Sequence, residues 1–412
     1  MLDIMKPADL GVLKCVIHAK GCHVHEERRD GASPARRARG RRWRACSAGL
    51  AGLLLLALGS SGCATVLAQH KAAAHGSSSA MQGSGSTEGG TGSLGPLNSS
   101  SGSSGNKKHA AGTLAGVGGG VMFGGDVPMV PEEKALGRTL AIVRVYDLVG
   151  HSFANRLVDG IMAQGSTLLV SLDTYPGMTS WAGIAAGQQD ASITSFLESV
   201  NQSAIHYRLP AIYFTFEHEA NVSAHHAGLG TPAQFVQAWD HVHQIAVNHH
   251  LLWSQGGRIH FALILTHFAY INGSVSQWWP GTNEVDIVAA DGYNTGGCRI
   301  ARKNHSGFST GVTPPESPSS LFSAVVQFAA GHGGLPIFIA EWGSVEYANP
   351  SVRVNWIQQM QSFVAANPAI HATLYWDSSV PPCNYVINNS PPSVSAMASM
   401  AHSALMQGMP AA

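Results

Sequence analysis

The chain has 412 residues, of which 45% are apolar and 12% are charged, and its formal net charge is zero. This length allows one large domain with additional segments, and so small a charged fraction argues against a broad basic surface for nucleic acid. The charge is unevenly distributed, because residues 1–44 carry a net charge of +6 and residues 45–412 carry −6. We therefore expect a basic leader ahead of a mildly acidic body, and no nucleic-acid partner.

The first segment, residues 1–63, has the organisation of an export signal. Arginines are concentrated up to Arg44, an apolar run of 11 residues spans 48–58, and small residues follow. A positive region, a short apolar region and small residues are together typical of a secretory signal, and such a run is too short to cross a bilayer as a helix. We expect the protein to be exported.

The processing of this signal has two alternatives. Ser61-Gly62-Cys63 resembles the end of a bacterial lipobox, which would make Cys63 a lipidated N-terminus, although Ser60 stands where such signals usually carry leucine. Residues 66–68 offer an ordinary cleavage site instead. The protein is therefore expected to be secreted by a bacterium or held at its cell surface, and a lipid anchor at Cys63 is its only expected connection with a membrane.

The next segment, residues 64–110, has the composition of a flexible linker. Of the 30 residues from 76 to 105, 20 are glycine or serine. Such a composition buries too little apolar surface to offset the entropy of ordering the chain. We expect a tether that separates the signal from a folded domain at residues 111–408.

This domain alternates apolar strand patterns with amphipathic helix patterns. Near-continuous apolar runs are typical of strands that are covered on both faces. Thr231 followed by Pro232 predicts the start of one helix, and Asn367 followed by Pro368 predicts the end of another. Eight strands that alternate with helices over ~250–300 residues favour an α/β fold of the (β/α)8 barrel type. The predicted strands span 118–123, 140–146, 167–173, 211–217, 260–266, 285–291, 335–341 and 372–376.

Several of these strand patterns end in an acidic residue. They are followed closely by Asp173, Glu219, Asp291, Glu341 and Asp377. The C-terminal ends of barrel strands open onto one face, so these carboxylates are expected to converge there. For any single acid, such as Asp173 or Asp377, a structural role as a helix cap or as the partner of an arginine fits the sequence as well as a catalytic role does. For Glu219 and Glu341 we favour a catalytic pair, because aromatic residues lie close by and few cations are available to neutralise them. Two carboxyl groups at a pocket floor suit retaining glycoside hydrolysis.

Three motifs in this domain together resemble glycoside hydrolase family 26. They are His218-Glu219-Ala220-Asn221, Asp291-Gly292-Tyr293 and Ala340-Glu341-Trp342-Gly343. The resemblance implies a retaining (β/α)8 glycosidase of the β-mannanase type, with Glu219 as the acid/base and Glu341 as the nucleophile. It also implies the substrate-binding residues, which are His218, Asn221, Tyr293 as a hydrogen-bond donor to the nucleophile, Trp342, and Trp376 as the sugar platform.

The chain departs from the family pattern just ahead of the acid/base motif. Mannanases of the family usually carry Arg-Pro-Phe there, whereas this chain has Thr215-Phe216-Glu217. We expect endo-acting cleavage of a β-linked polysaccharide, with β-1,4-mannan as the first candidate and xylan or mixed-linkage glucan as alternatives. The alternative from another class is a carbohydrate-binding surface protein that keeps the barrel without turnover.

The cysteines and histidines give the last expectations. Cys298 and Cys383 are the only cysteines beyond the signal region, and each follows a predicted strand on the same face. Because export leads to an oxidising compartment, we predict a disulfide between them, with two free buried thiols as the alternative. The 21 histidines form no HExxH motif, and no CxxC motif occurs. We expect no metal, no cofactor and a monomeric protein.

Overall fold

The computed structural model describes residues 119–409, apart from 154, 176, 223–225 and 302–307. The predicted signal (1–63) with Cys63, the predicted linker (64–110) and the first residues of the predicted domain (111–118) lie outside the described residues. Within the described part of the chain, no helix combines the length and the apolar character that crossing a membrane requires.

Eight parallel strands close into a barrel in chain order, which confirms the predicted (β/α)8 fold. The barrel strands are β1 (Met122–Asp126), β2 (Ile142–Leu148), β3 (Thr167–Asp173), β4 (Ile212–Phe216), β5 (Ile259–Thr266), β6 (Ile287–Asn294), β7 (Ile337–Ser344) and β8 (Ile370–Tyr375). A short antiparallel hairpin after β8 consists of β9 (Ser379–Val380) and β10 (Cys383–Asn384).

The connections between the strands carry the helices. In the described ranges these are α1 (Glu133–Leu136), α2 (Arg156–Ala163), α3 (Trp181–Ala185), α4 (Asp190–His206), α5 (Pro232–Asn248), α6 (His267–Ile271), α7 (Cys298–Ala301), α8 (Pro318–Gly331), α9 (Pro350–Ala366) and α10 (Pro391–His402). Short 3-10 helices span Val127–Glu132, Trp253–Gln255, Ser274–Gln277 and Ala404–Met406. Both predicted helix boundaries are confirmed, since Thr231 and Gln234 form a capping box at the start of α5 and α9 ends just before Asn367.

The predicted span of the first strand was wrong, because β1 begins at Met122 rather than at 118 and continues to Asp126. Two of its residues are glycines, which contribute no apolar signal to the sequence pattern. The structure requires one of them, since a Cβ atom at Gly124 would lie 2.2 Å from the carbonyl oxygen of Ile142 on β2. Because β1 and β2 approach closely, position 124 requires glycine. The same glycine makes β1 difficult to recognise in the sequence.

The apolar side chains form two layers on the two sides of the barrel wall. One cluster fills the barrel interior and includes Ile142, Leu169, Tyr213 and Phe338. A larger cluster lies between the outer faces of the strands and the helices. Successive side chains of a strand point to opposite sides, so each strand contributes to both layers. At the C-terminal ends of the strands, the apolar interior gives way to the buried charged side chains of Arg144, Asp291 and Glu341.

A bulge in β7 decides which side chains reach that open face. Residues 290 and 291 of β6 pair with residues 339 and 341 of β7, so Ala340 is an extra residue in the ladder. Ala340 belongs to the interior cluster, and the bulge turns the next side chain, that of Glu341, toward the interior as well. Glu341 consequently stands beside Asp291 at the open end of the barrel.

The predicted disulfide between Cys298 and Cys383 is present, and the two Cα atoms are 5.5 Å apart. Cys298 begins α7 after β6, and Cys383 lies in β10 after β8, so the bond joins two loops on the open face. The bonded cysteines are buried together with Tyr385 and Tyr347. The disulfide thus fastens the loops that carry the aromatic residues beside the open end.

We expect the double variant Cys298→Ser/Cys383→Ser to lose about 2–4 kcal/mol of unfolding free energy, because the bond spans 85 residues and restricts the unfolded chain. Guanidinium denaturation of the variant and of the oxidised wild type measures this difference. Wild-type protein treated with a reductant should match the variant. Equal stability of the oxidised and the reduced wild type would contradict the prediction.

Candidate active site

A buried arginine joins two carboxylates at the open end of the barrel. Arg144 of β2 is fully buried, and its Nη1 lies 3.0 Å from Asp291 Oδ1 and 2.9 Å from Glu341 Oε1. Burial alone would lower the pKa of Arg144, but the two carboxylates raise it well above its ordinary value. A buried charge is costly unless it is paired, so the arginine and the two acids stabilise one another.

Arg144 also corrects the expectation that few cations are available to neutralise Glu341. The cation comes from β2, far from Glu341 in sequence, and residues 141–146 are otherwise uncharged. A single charge inside an apolar strand was a usable signal, because a buried arginine requires carboxylate partners. The sequence did not indicate which carboxylates those would be.

Both oxygens of Glu341 receive hydrogen bonds from tyrosines. Tyr146 Oη donates to Oε1, and Tyr293 Oη donates to Oε2, so the contact expected from Tyr293 is present. Tyr146, at the end of β2, adds a donor that sequence reasoning missed. Together with Arg144, these donors surround Glu341 and fix the orientation of its carboxyl group. The side chain of Glu341 is 8% exposed, so it is largely buried and yet borders the open face.

Glu219 lies just beyond β4, on a turn with an unusual backbone. Its φ angle is 51°, in the left-handed region that residues with a Cβ atom rarely adopt. Its amide donates to the carbonyl oxygen of Ile264 on β5 at 2.9 Å. Burial, Glu341, Asp291 and then Glu219 raise the pKa of Tyr293 well above its ordinary value. The charge of Glu219 therefore acts on the same cluster that holds Glu341, from a strand end three positions away around the barrel.

His218 forms an ion pair with Asp173, the last residue of β3. Its Nδ1 lies 3.0 Å from Asp173 Oδ2, and its amide donates to Oδ1 at 3.2 Å. Burial alone would lower the pKa of His218, but Asp173 raises it to about 9. The His218 ring also meets the Tyr146 ring edge-on, with centroids 5.3 Å apart. Asp173 is therefore the partner of a cation, one of the two structural roles weighed for it, and the cation is a histidine.

This pair predicts a pH-dependent stability. The free energy that it contributes should be fully present below pH 6.5 and lost as the pH rises through about 9, because the folded chain binds the His218 proton more tightly than the unfolded chain. The contribution is up to about 3 kcal/mol. Denaturation of the wild type and of His218→Asn from about pH 6 to about pH 10 should show a difference that narrows as the pH rises. A difference that stays constant or widens would contradict this.

Asn221 and Trp376 were both expected at the pocket, and the structure gives them different surroundings. The Asn221 amide group is engaged by Thr266 at the end of β5, donating to its Oγ1 at 2.6 Å and accepting from its backbone amide at 3.0 Å. Asn221 thus ties the Glu219 turn to β5. Trp376 follows β8 and is half-buried, and its ring centroid lies 5.3 Å from that of Tyr293 and 5.4 Å from that of Tyr385. Trp376 therefore contacts the ring of Tyr293, the tyrosine that donates to Glu341.

Trp342 does not reach the open face, and the expectation that it binds substrate is corrected by its position. Its side chain is fully buried between the barrel and the helices, with its ring 5.7 Å from Trp356 of α9 and 5.0 Å from Tyr375. The bulge at Ala340 turns Glu341 inward, so the following side chain points outward. An uninterrupted apolar strand shows no such bulge in its sequence.

Two further buried carboxyl groups lie where β1 meets β8. Asp126 accepts a hydrogen bond from the Asp377 amide at 3.0 Å, and burial raises its pKa to about 7. Asp377 accepts from the Ile387 amide at 2.6 Å, and burial raises its pKa to about 6. Asp377 therefore fastens the segment that follows the β9–β10 hairpin. Asp126 escaped sequence reasoning because it ends the glycine-containing strand β1.

This chain is similar in fold to several proteins of known structure. No family model matches this chain, and no curated protein is similar to it in sequence. A modular endo-β-1,4-mannanase of glycoside hydrolase family 26 from Cellulomonas fimi is 14% identical, with 69% of this chain and 71% of that chain covered and a TM-score of 0.48. A family 26 β-mannanase from Bacteroides ovatus is 12% identical, with 69% and 89% covered and a TM-score of 0.49.

Similar structures also include enzymes of another family. A family 128 endo-β-1,3-glucanase from Amycolatopsis mediterranei is 9% identical, with 68% of this chain and 100% of that chain covered and a TM-score of 0.37. Identities and scores of this size concern the fold alone, which the strand order of this chain already establishes. The chemistry of the site therefore rests on its own residues.

Proposed function

We propose that this chain is a retaining glycoside hydrolase that cleaves a β-linked polysaccharide, with Glu341 as the nucleophile and Glu219 as the acid/base. The observation that carries the proposal is the setting of Glu341. Its two oxygens are held by Tyr146, Tyr293 and Arg144, which fix its direction at the open end of the barrel. A carboxyl group held in this orientation suits nucleophilic attack.

The proposed reaction has two steps. In the first, a Glu341 oxygen bonds to the anomeric carbon, the glycosidic bond breaks, and Glu219 gives its proton to the leaving oxygen. In the second, Glu219 takes a proton from water, the water oxygen attacks the anomeric carbon, and the bond to Glu341 breaks. Two displacements at one carbon restore the original anomeric configuration.

The aromatic surroundings of Glu341 support a carbohydrate substrate. Tyr146, which is 42% exposed, and the half-buried Trp376 offer flat surfaces with polar edges close to the nucleophile. We propose β-1,4-mannan first, from the motif resemblance, with xylan and mixed-linkage glucan as alternatives.

The test is a measurement of reducing ends released by the purified full-length protein from β-1,4-mannan, xylan and mixed-linkage glucan. The proposal expects release from at least one of these polysaccharides, with proton NMR showing the β-anomer of the new reducing end first. Early appearance of the α-anomer would contradict retention. Retarded migration in a gel that contains the polysaccharide, without release, would instead favour the carbohydrate-binding alternative.

We also propose that the protein acts outside the cytoplasm, as a secreted or lipid-anchored protein. The export signal predicted in residues 1–63 and the linker in residues 64–110 are the main support. A disulfide between Cys298 and Cys383 fits that location, because disulfides persist in oxidising compartments. Mass spectrometry of the mature N-terminus decides between a lipidated Cys63 and cleavage further along.

A further inference from the structure

Glu217 takes no part in the mechanism proposed above, yet its side chain is fully buried. Its Oε1 accepts a hydrogen bond from the Thr174 amide at 2.6 Å, and its Oε2 lies 3.0 Å from His226 Nδ1. Burial raises the pKa of Glu217 above its ordinary value. A buried carboxyl group requires partners, and these two partners come from the loops that follow β3 and β4.

His226 carries the contact back to the turn that holds Glu219. Its Nε2 lies 3.1 Å from the carbonyl oxygen of His218, and a carbonyl only accepts, so Nε2 carries a hydrogen. His226 Nδ1 lies 3.0 Å from Glu217 Oε2. The side chain of Glu217 is thereby linked through His226 to the backbone of the next residue in the chain. The three residues form a closed ring of contacts.

The backbone at and next to this ring contains two residues in an unfavourable conformation. Glu217 and Glu219 have φ angles of 57° and 51°, and both conformations are unfavourable for residues with a Cβ atom. Such conformations persist only where the surroundings hold them. The Glu217 amide donates to the Leu172 carbonyl at 3.0 Å, and the Glu219 amide donates to the Ile264 carbonyl at 2.9 Å, so each left-handed residue is also tied to a neighbouring strand.

We propose that Glu217 and His226 form a buried brace that positions the Glu219 carboxyl group for proton transfer. The role of Glu219 in this statement rests on the proposed function, whereas the brace itself is a property of the turn. Glu217 and His226 act through the backbone of the turn, so they are positioning residues.

Two substitutions of Glu217 distinguish an effect of its hydrogen-bonding contacts from an effect of side-chain packing alone. Glu217→Leu removes both contacts, whereas Glu217→Gln keeps them, since its amide oxygen accepts from Thr174 and its amide nitrogen donates to His226 Nδ1. We expect Glu217→Leu to lower kcat on the polysaccharide by about 100-fold with KM little changed, which is within the usual contribution of general acid–base catalysis. Glu217→Gln should stay within about 3-fold of the wild type.

The second readout is an aryl β-glycoside whose leaving group needs no protonation. Its kcat/KM reports bond cleavage without acid assistance, so Glu217→Leu should lower it by less than about 3-fold. Equal losses on the polysaccharide and the aryl glycoside would overturn the positioning role. A Glu217→Gln variant as weak as Glu217→Leu would overturn the hydrogen-bonded brace.

Asp286→Leu is the matched control, because Asp286 lies 3.6 Å from His260 at the opposite, N-terminal end of the barrel strands. This substitution removes another histidine–carboxylate contact. It should leave the ratio of the activity on the polysaccharide to the activity on the aryl glycoside unchanged. A change in that ratio as large as the one caused by Glu217→Leu would show a general effect of lost stability and overturn the proposal.

A crystal structure of Glu217→Leu tests the brace independently of turnover. We expect residues 217 and 219 to leave the left-handed region, and an unchanged turn would overturn the proposal. A wild type that cleaves no β-glycan, together with an altered turn in the variant, would refute the proposed function and leave the brace standing.

Discussion

Replacement of Glu341 by alanine should abolish hydrolysis of every substrate that the wild type cleaves, with a loss in kcat of about 10⁴-fold or more. The reason is that Tyr146, Tyr293 and Arg144 fix the Glu341 carboxyl group at the open end of the barrel, in position to attack the anomeric carbon. Activated aryl glycosides should lose activity as fully as the polysaccharide, because both require the bond to Glu341. Initial rates on the two substrates measure the effect.

The fold of this variant should survive, because Arg144 keeps Asp291 as a partner 3.0 Å away. Circular dichroism and thermal melting check this point. Glu198→Ala is a suitable control, since that acid lies on α4 and pairs with His249 at the protein surface. If Glu341→Ala retained activity close to that of Glu198→Ala, the nucleophile would have to be another residue.

The barrel was predictable because its determinants are local. Parallel strands that are covered on both faces give runs of apolar residues, and seven of the eight strands overlap closely with such runs. The C-terminal ends of parallel strands also share one face, so the sequence alone predicts that Glu219, Asp291 and Glu341 lie on that face. The exception, β1, contains Gly124 because its neighbour approaches too closely for a side chain.

The detailed contacts of the site were not predictable, because they join strands that are distant in sequence. Arg144 reaches Glu341 across the barrel interior, and nothing in the sequence specifies that pairing. Trp342, which the motif resemblance implied to be a substrate-binding residue, points away from the site because the bulge at Ala340 changes the alternation of side chains, and no residue in the sequence marks that bulge. The Glu217–His226 contact likewise depends on how two loops meet, which spacing along the chain does not encode.

Replacement of Glu219 by alanine should give a selective loss, in contrast to the loss at Glu341. Hydrolysis of the polysaccharide should fall by about 10²–10⁴-fold, because its leaving oxygen requires a proton. Bond cleavage in an aryl glycoside with an acidic phenol should be largely spared, and the glycosyl–enzyme bond should then accumulate for want of a base to activate water. A burst of phenol followed by slow turnover, recorded by stopped-flow absorbance, is the expected signature.

Azide then distinguishes the roles of the two acids. With Glu219→Ala, azide needs no base and should attack the bond to Glu341, which restores turnover and yields a glycosyl azide of the original β-configuration. With Glu341→Ala, azide replaces the nucleophile itself, so any product that forms should have the opposite configuration because only one displacement occurs. NMR of the two azides reads the outcome directly. A β-azide from Glu341→Ala and an α-azide from Glu219→Ala would mean that the two carboxyl groups exchange roles, with the nucleophile on the braced turn after β4.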